Sequence, residues 1–198
     1  MNPEGTKKQD RRVMYTKMFL HESLLDLMRE KPVDKITPTE LCRRANINRN
    51  TFYTHYYSVK DVLEEIEADF ADQIIDSLSG KFAPDQTMEL LVGVCRIIYE
   101  RMDFCEVLLS ENGDAKFLEN VINMGKSVVL SGWREQGFRL SDAQMELFFA
   151  FIVNGSIAVI RKWAASDTKA LPEDIAKLIE IAAYGGINEQ LEKKETDT

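Results

Sequence analysis

Residues 36–63, ITPTELCRRANINRNTFYTHYYSVKDVL, limit this chain more than any other stretch, because three helix starts are spelled out in quick succession. Thr37 is suited to an N-cap, Pro38 stands at the first helical position and Glu40 at the third. That is a capping box whose proline costs no hydrogen bond. The helix can run only to about Ala45, since Asn46 tolerates the left-handed backbone of a tight turn. Asn48 then reads as the cap of a second short helix over 49–56. Ser58 reads as the cap of a third, with Asp61 at its third position, continuing to about Leu78. Helix, three- or four-residue turn, helix is the outline of a helix-turn-helix. Well-capped helical hairpins also occur in proteins that never meet DNA, so the outline alone decides the fold locally and not the function.

The rest of the chain also reads as helix, and the expected class is all-α. Residues 10–31 place Met14, Met18, Leu24, Leu25, Leu27 and Met28 at helical spacing before Lys31-Pro32. SGKFAPDQ, residues 79–86, is a break. Beyond it the expected helices cover 85–102, 104–111, 114–136, 141–166 and 172–193, with a frayed tail. Asn112-Gly113, Gly137 with Ser141, and Leu171-Pro172 are the punctuation. The expected division is a DNA-binding domain over 1–60 and a second helical domain over 61–198, the fourth helix (58–79) connecting them.

Composition narrows the function classes. No stretch approaches the roughly 18 uncharged apolar residues of a membrane span, and no apolar region follows the N-terminus as in a secretory signal. The reading is a cytoplasmic protein without a membrane partner. Cys42, Cys95 and Cys105 are odd in number and widely spaced, as reduced thiols would be. With only His21 and His55 available, no clustered zinc-ligand set can be written, and no cofactor is expected. A glycine-rich phosphate loop, an HExxH motif and a nucleophile elbow are all missing, which argues against an enzyme. The net charge of -8 hides a split: residues 1–60 carry +5 and residues 61–198 carry -13. A basic head on an acidic body suits a chain that touches a polyanion with one end.

The segment 47–58, INRNTFYTHYYS, then carries the chemistry. On a helix, Phe52 and Tyr56 share a face and can form a small core with Leu41, Ala45 and Ile47. Arg49, Asn50, Thr51, Tyr53, Thr54 and His55 are left for the other faces. Arg can pair with guanine, Asn with adenine, and a Thr methyl can meet the thymine methyl. Tyr, His and backbone N–H groups can hold phosphates. A solvated polar face is the plainer alternative.

Residues 36–66, ITPTELCRRANINRNTFYTHYYSVKDVLEEI, resemble the DNA-binding domain of the TetR family of bacterial transcriptional regulators. The resemblance rests on Ile36-Thr37, the Leu41 and Ala45 spacing, the run Thr51-Phe52-Tyr53-x-His55-Tyr56, and the serine-capped SVKDVL start. It covers about 12–60. The resemblance implies phosphate contacts at Thr37, Asn48, Tyr53, His55 and Lys60, base reading at Arg49, Asn50, Thr51 and Thr54, and structural roles for Phe52 and Tyr56. Imidazole packing at the helix end is an equal reading for His55. Two positions depart from the family. Asn46 stands where glycine is usual, and Val59 stands where a phosphate-binding lysine is frequent, with Lys60 next.

The resemblance also implies a homodimer through the last two long helices, a pseudo-palindromic site on double-stranded DNA, and a helical C-terminal domain that dimerises and takes an effector. ELFFAFIVNGSIAVIRKW, 146–163, is apolar nearly all round and must be buried on most sides; Asn154, Gly155 and Ser156 would let another helix come close. Gly185-Gly186 either serves the same purpose or ends the final helix early. Candidates for an apolar small-molecule pocket are Cys95, Tyr99, Met102, Phe117, Met124, Trp133, Phe148 and Phe151, although such residues at helical spacing more often form core. A repressor released by an effector is the expected function. The alternative is a co-activator or adaptor working through a protein partner.

Overall fold

The computed structural model describes residues 3–78, 87–135, 137–138, 140–166 and 170–192, with side chains described from 11 to 183 within those bounds. The break expected at 79–86 and the tail from 193 lie outside the described residues, as does the expected start of a helix at 85. All the regular elements described are helical. They are α1 (Pro3–Glu30), a single 3-10 turn (Val33–Lys35), α2 (Pro38–Ala45), α3 (Arg49–His55), α4 (Val59–Leu78), α5 (Thr87–Glu100), α6 (Met102–Leu108), α7 (Ala115–Glu135), α8 (Asp142–Ala164) and α9 (Pro172–Glu192). The 3-10 turn is not legible in the sequence. It closes through Lys35 N–H to Pro32 O and Ile36 N–H to Val33 O.

The chain forms two compact units: residues 1–70 with 107–115, and 71–106 with 116–198. In the first, Leu20, Leu24, Leu27 and Met28 of α1 recur every three or four residues and are buried. Leu41, Cys42 and Ala45 of α2, Phe52 of α3, and Val62, Leu63, Ile66 and Phe70 of α4 are buried in the same unit. Met14 and Met18, expected on the same stripe, are instead 58% and 39% exposed beside Tyr15 and Phe19. Helix α1 is longer than expected and its apolar face begins only at Leu20.

In the second unit α5 packs along α9, and an exposed Arg96–Glu173 ion pair at 2.6 Å joins them. Leu130 and Trp133 of α7 pack with Met145 and Phe149 of α8, flanked by Phe138 and Phe148. Ser141 and Gln144 cap α8 reciprocally. In the first unit, Gly113 closes the turn before α7, where a Cβ would lie 2.0 Å from the Leu108 carbonyl oxygen.

Helix α8 departs from the expectation of burial on most sides. Met145, Phe149 and Trp163 are buried, while Leu147 and Phe151 are 73% and 68% exposed, with Ala150, Asn154 and Ala158 exposed between and beyond them. The spacing of 147, 150, 151, 154 and 158 defines one face. This helix is also long and apolar enough, by length and composition, to cross a membrane, contrary to the expectation that no segment would be. On α9, Leu178 and Ile181 are exposed as well. Helix α9 continues through Gly185-Gly186 rather than ending there.

Candidate nucleic-acid interface

Local hydrogen bonds build the α2–α3 pair. Thr37 Oγ1 accepts the Glu40 N–H at 3.2 Å and Pro38 occupies the first turn. The Glu40 carboxylate turns mainly to Lys31, at 2.7 and 2.8 Å, and that ammonium holds its carboxyl below the usual range. Asn46 ends α2 at φ 54, ψ 39, in the left-handed region. The Ile47 N–H returns to Cys42 O at 2.9 Å, which turns the chain back on itself. Asn48 Oδ1 accepts the Asn50 N–H at 2.8 Å and starts α3.

Helix α3 ends one residue earlier than expected, with Tyr56 as its extended C-cap. Ser58 and Asp61 cap α4: Asp61 accepts from the Ser58 hydroxyl at 2.6 Å and from the Tyr57 N–H at 2.8 Å, and Ser58 Oγ accepts the Asp61 N–H. The Ser58 hydroxyl, then the Tyr57 N–H, hold the Asp61 carboxyl below the usual range, so the cap stays ionised near neutral pH.

Phe52 is fully buried and Tyr56 is 4% exposed. Their rings lie 5.8 Å apart and pin α3 down. The polar candidates face outward: Thr37, Asn48, Arg49, Asn50, Thr51, Tyr53, Thr54 and Lys60 are exposed, and His55 is half-buried with its ring 6.5 Å from that of Tyr56. Their free chemistry is narrower than residue type suggests. The Thr54 hydroxyl donates to Asn50 O at 2.9 Å, so toward solvent it offers its methyl and an acceptor. Asn48 has spent its side-chain oxygen on the cap and keeps two N–H donors. The Arg49 guanidinium lies 5.9 Å over the Tyr53 ring, an exposed cation–π contact that aims it. Lys60 stands 3.9 Å from Glu64 across an exposed helix turn, a weak pairing. Val59, where the family often has lysine, is buried. Tyr57, not singled out in the sequence, is 91% exposed directly after α3 with its N–H fixed by Asp61. The only sequence signal for it is a large aromatic between a helix end and a helix cap.

Residues 85–185 match a TetR family model described as a transcriptional regulator C-terminal region, just over half of the 198-residue chain. The chain belongs to the TetR family. An uncharacterized HTH-type transcriptional regulator from Bacillus subtilis (strain 168), YxbF, is 34% identical over 84 residues. That match covers 42% of this chain and spans only 22% of the length of the relative. Among solved structures, a TetR regulator from Streptococcus agalactiae superposes at a TM-score of 0.62 with 23% identity, covering 90% of this chain and 98% of that one. The dihydroxyacetone kinase operon activator DhaS gives 0.61 and 18%, covering 87% and 96%. The fatty acid degradation regulator FadR from Bacillus halodurans gives 0.63 and 15%, covering 86% and 95%. These likenesses show the fold. Family membership makes the protein a helix-turn-helix transcriptional regulator and not an enzyme.

In this TetR-family chain the eight residues expected to line an effector pocket have different surroundings. Cys95 is buried, with burial pushing its thiol up to about 11. Phe117 packs edge-on to Phe104, and Trp133 sits at the α7–α8 core against Phe148. Tyr99, 51% exposed, stacks on Trp163. Met102 is half-buried, while Met124 and Phe151 are 50% and 68% exposed. A groove of about 590 Å³ between α7 and α8 is lined by other residues, among them Ile122, Asn123, Leu147, Val153 and Asn154, with a Lys126–Glu146 ion pair at 3.0 Å on its edge.

Proposed function

We propose that this protein is a cytoplasmic, homodimeric repressor that reads a pseudo-palindromic operator through α3. The observation that carries the reading is the division of α3 into two faces. Phe52 and the Tyr56 cap are buried, while Arg49, Asn50, Thr51 and Thr54 are all exposed. These four read bases. Thr37, Asn48, Tyr53, His55, Lys60 and the added Tyr57 hold phosphates. The -13 net charge of residues 61–198 keeps the rest of the chain off the polyanion.

The dimer rests on the exposed apolar face of α8 and on Leu178 and Ile181 of α9. An unpartnered face of this kind marks an association surface. The Asn154-Gly155 step keeps it low, with open space within 4 Å of a Cβ at Gly155. A second copy, rather than a membrane, covers that face. An apolar effector binds the second unit, at Cys95, Tyr99, Met102, Phe117, Met124, Trp133, Phe148 and Phe151 or in the α7–α8 groove, and weakens operator binding. The alternative is a co-activator that works through a protein partner; the acidic body and the fold shared with the operon activator DhaS favour it.

Selection of random duplex DNA by the purified protein, at moderate salt, separates the two. An enriched inverted repeat supports the operator reading. A folded dimer that enriches nothing rejects it in favour of the co-activator. On the enriched duplex, Asn50→Ala removes preference at one position of each half-site. Tyr53→Phe weakens all duplexes alike. Retention of full preference by Asn50→Ala would overturn the base-reading assignment.

A further inference from the structure

A second set of polar groups in the first unit touches none of the residues assigned to DNA, yet it grips the end of α3. Lys17 and His21 stand one turn apart on α1. The Lys17 ammonium donates to both oxygens of Glu65 on α4, at 2.8 and 3.0 Å. His21 Nε2 lies 3.6 Å from Glu65 Oε1 and 3.2 Å from the Tyr56 hydroxyl. Lys17 also lies 5.6 Å over the Tyr56 ring. Burial works against the Glu65 charge, but Lys17, then His21 and the Tyr56 hydroxyl, hold its carboxyl below the usual range. Burial, then the nearby Glu65 carboxylate, raise the Tyr56 hydroxyl far above its ordinary value, and its hydrogen-bond partner is His21 Nε2 at 3.2 Å. Helices α1 and α4 therefore meet at one carboxylate, and α3 is tied to them through its C-cap residue Tyr56 and His21.

A core contact can slide by a fraction of an ångström at little cost. A hydroxyl bonded to an imidazole that itself lies against a lysine-held carboxylate cannot, because such contacts weaken steeply with angle and distance. We propose that Glu65 is a positioning residue for DNA reading: held by Lys17 and lying against His21, which bonds the Tyr56 hydroxyl, it sets the pitch of α3 against α1 and α4. This rests on the operator reading above and assigns that reading a structural control which lies off the DNA surface. Phe52 holds α3 down, and the Glu65 cluster decides its angle.

The test uses the full-length protein, its selected duplex and a random duplex of equal length. Tyr56→Phe removes one hydroxyl and keeps the ring; Glu65→Gln keeps the shape and removes the charge. Each lowers the ratio of selected to random affinity by about five- to ten-fold, the scale of one or two hydrogen bonds lost from the bound geometry. Binding to the random duplex and the salt slope stay unchanged, because no phosphate contact is removed. The double variant loses no more than about the larger single loss, since both changes break one network. Melting temperature is followed in parallel. Variants that melt earlier but keep the full ratio well below their melting point overturn the proposal and leave the cluster a stabilising contact only. A wild-type protein with no preferred duplex overturns both this proposal and the operator reading. A preference that both variants retain overturns this one alone.

Discussion

At the scale of single residues, the described geometry restricts what each side chain can offer DNA. Thr54 has donated its proton to Asn50 O, and Asn48 has spent its side-chain oxygen on the cap of α3. Asn50 keeps a free side-chain amide, so under the proposed operator reading it is the residue best equipped to pair with adenine. Tyr57 is the clearest case of a residue whose exposure asks for a role, since a ring 91% exposed gains nothing from burial in this unit. Asn46 can be tested on stability alone. Its backbone lies at φ 54, where a Cβ is strained unless the side chain is Asn or the residue is Gly. Asn46→Gly is expected to be neutral to within about 0.5 kcal/mol, and Asn46→Ala to cost on the order of 1 kcal/mol, read from urea unfolding midpoints. Equal stability of the Ala and Gly variants would show that the left-handed turn imposes no conformational demand.

At the scale of elements, α4 carries a tension. Glu67 is 8% exposed and its Oε1 atom has no hydrogen-bond partner. Burial, then the Asp114 and Glu64 carboxylates, push it up to about 7, with Lys60 opposing. Asp114 comes from the turn before α7, within the same unit. A carboxyl whose folded value lies above its unfolded one binds a proton on folding. Its contribution is whole below about pH 4.5, falls away as pH rises to about 7, and is absent above that. Glu67→Gln is therefore expected to flatten stability over that interval and to stabilise the protein at pH 8 by roughly 1–3 kcal/mol. Thermal unfolding of both proteins across the range checks the sign. A variant that is less stable at pH 8 and keeps the wild-type slope would show that Glu67 stays charged.

For the whole molecule, the exposed apolar residues of α8 and of α9 bear on assembly. Leu147 and Phe151 lie one turn apart and mostly exposed, which is costly for a lone chain in water. Phe151→Glu is expected to sediment near the 22.7 kDa chain mass, and the native protein, if the proposed dimer holds, at twice that. Its affinity for the inverted repeat should fall by at least about 100-fold, because the two half-sites lose their linkage. A native protein that already sediments as a monomer, with its duplex preference intact, would remove the dimer from the proposal.

What the sequence alone determined follows from the range of the forces involved. Caps, the left-handed Asn46 turn and the α2–α3 spacing depend on atoms within about four residues of one another, so they could be read directly. The burial of Phe52 and Tyr56 was legible for the same reason, from a single turn of helix. The DNA-facing candidates were legible as types, while the donors and acceptors they retain were not. Tertiary structure decided the rest. Met14 and Met18 stand outward in the first unit, and periodicity alone does not show which end of an apolar stripe finds a neighbour. Glu65 meets Lys17 across 48 positions, and His21 meets Tyr56 across 35, pairings that no local pattern encodes. The open face of α8 belongs with these. An apolar helix states that it must be covered, and only packing shows which side the chain leaves uncovered.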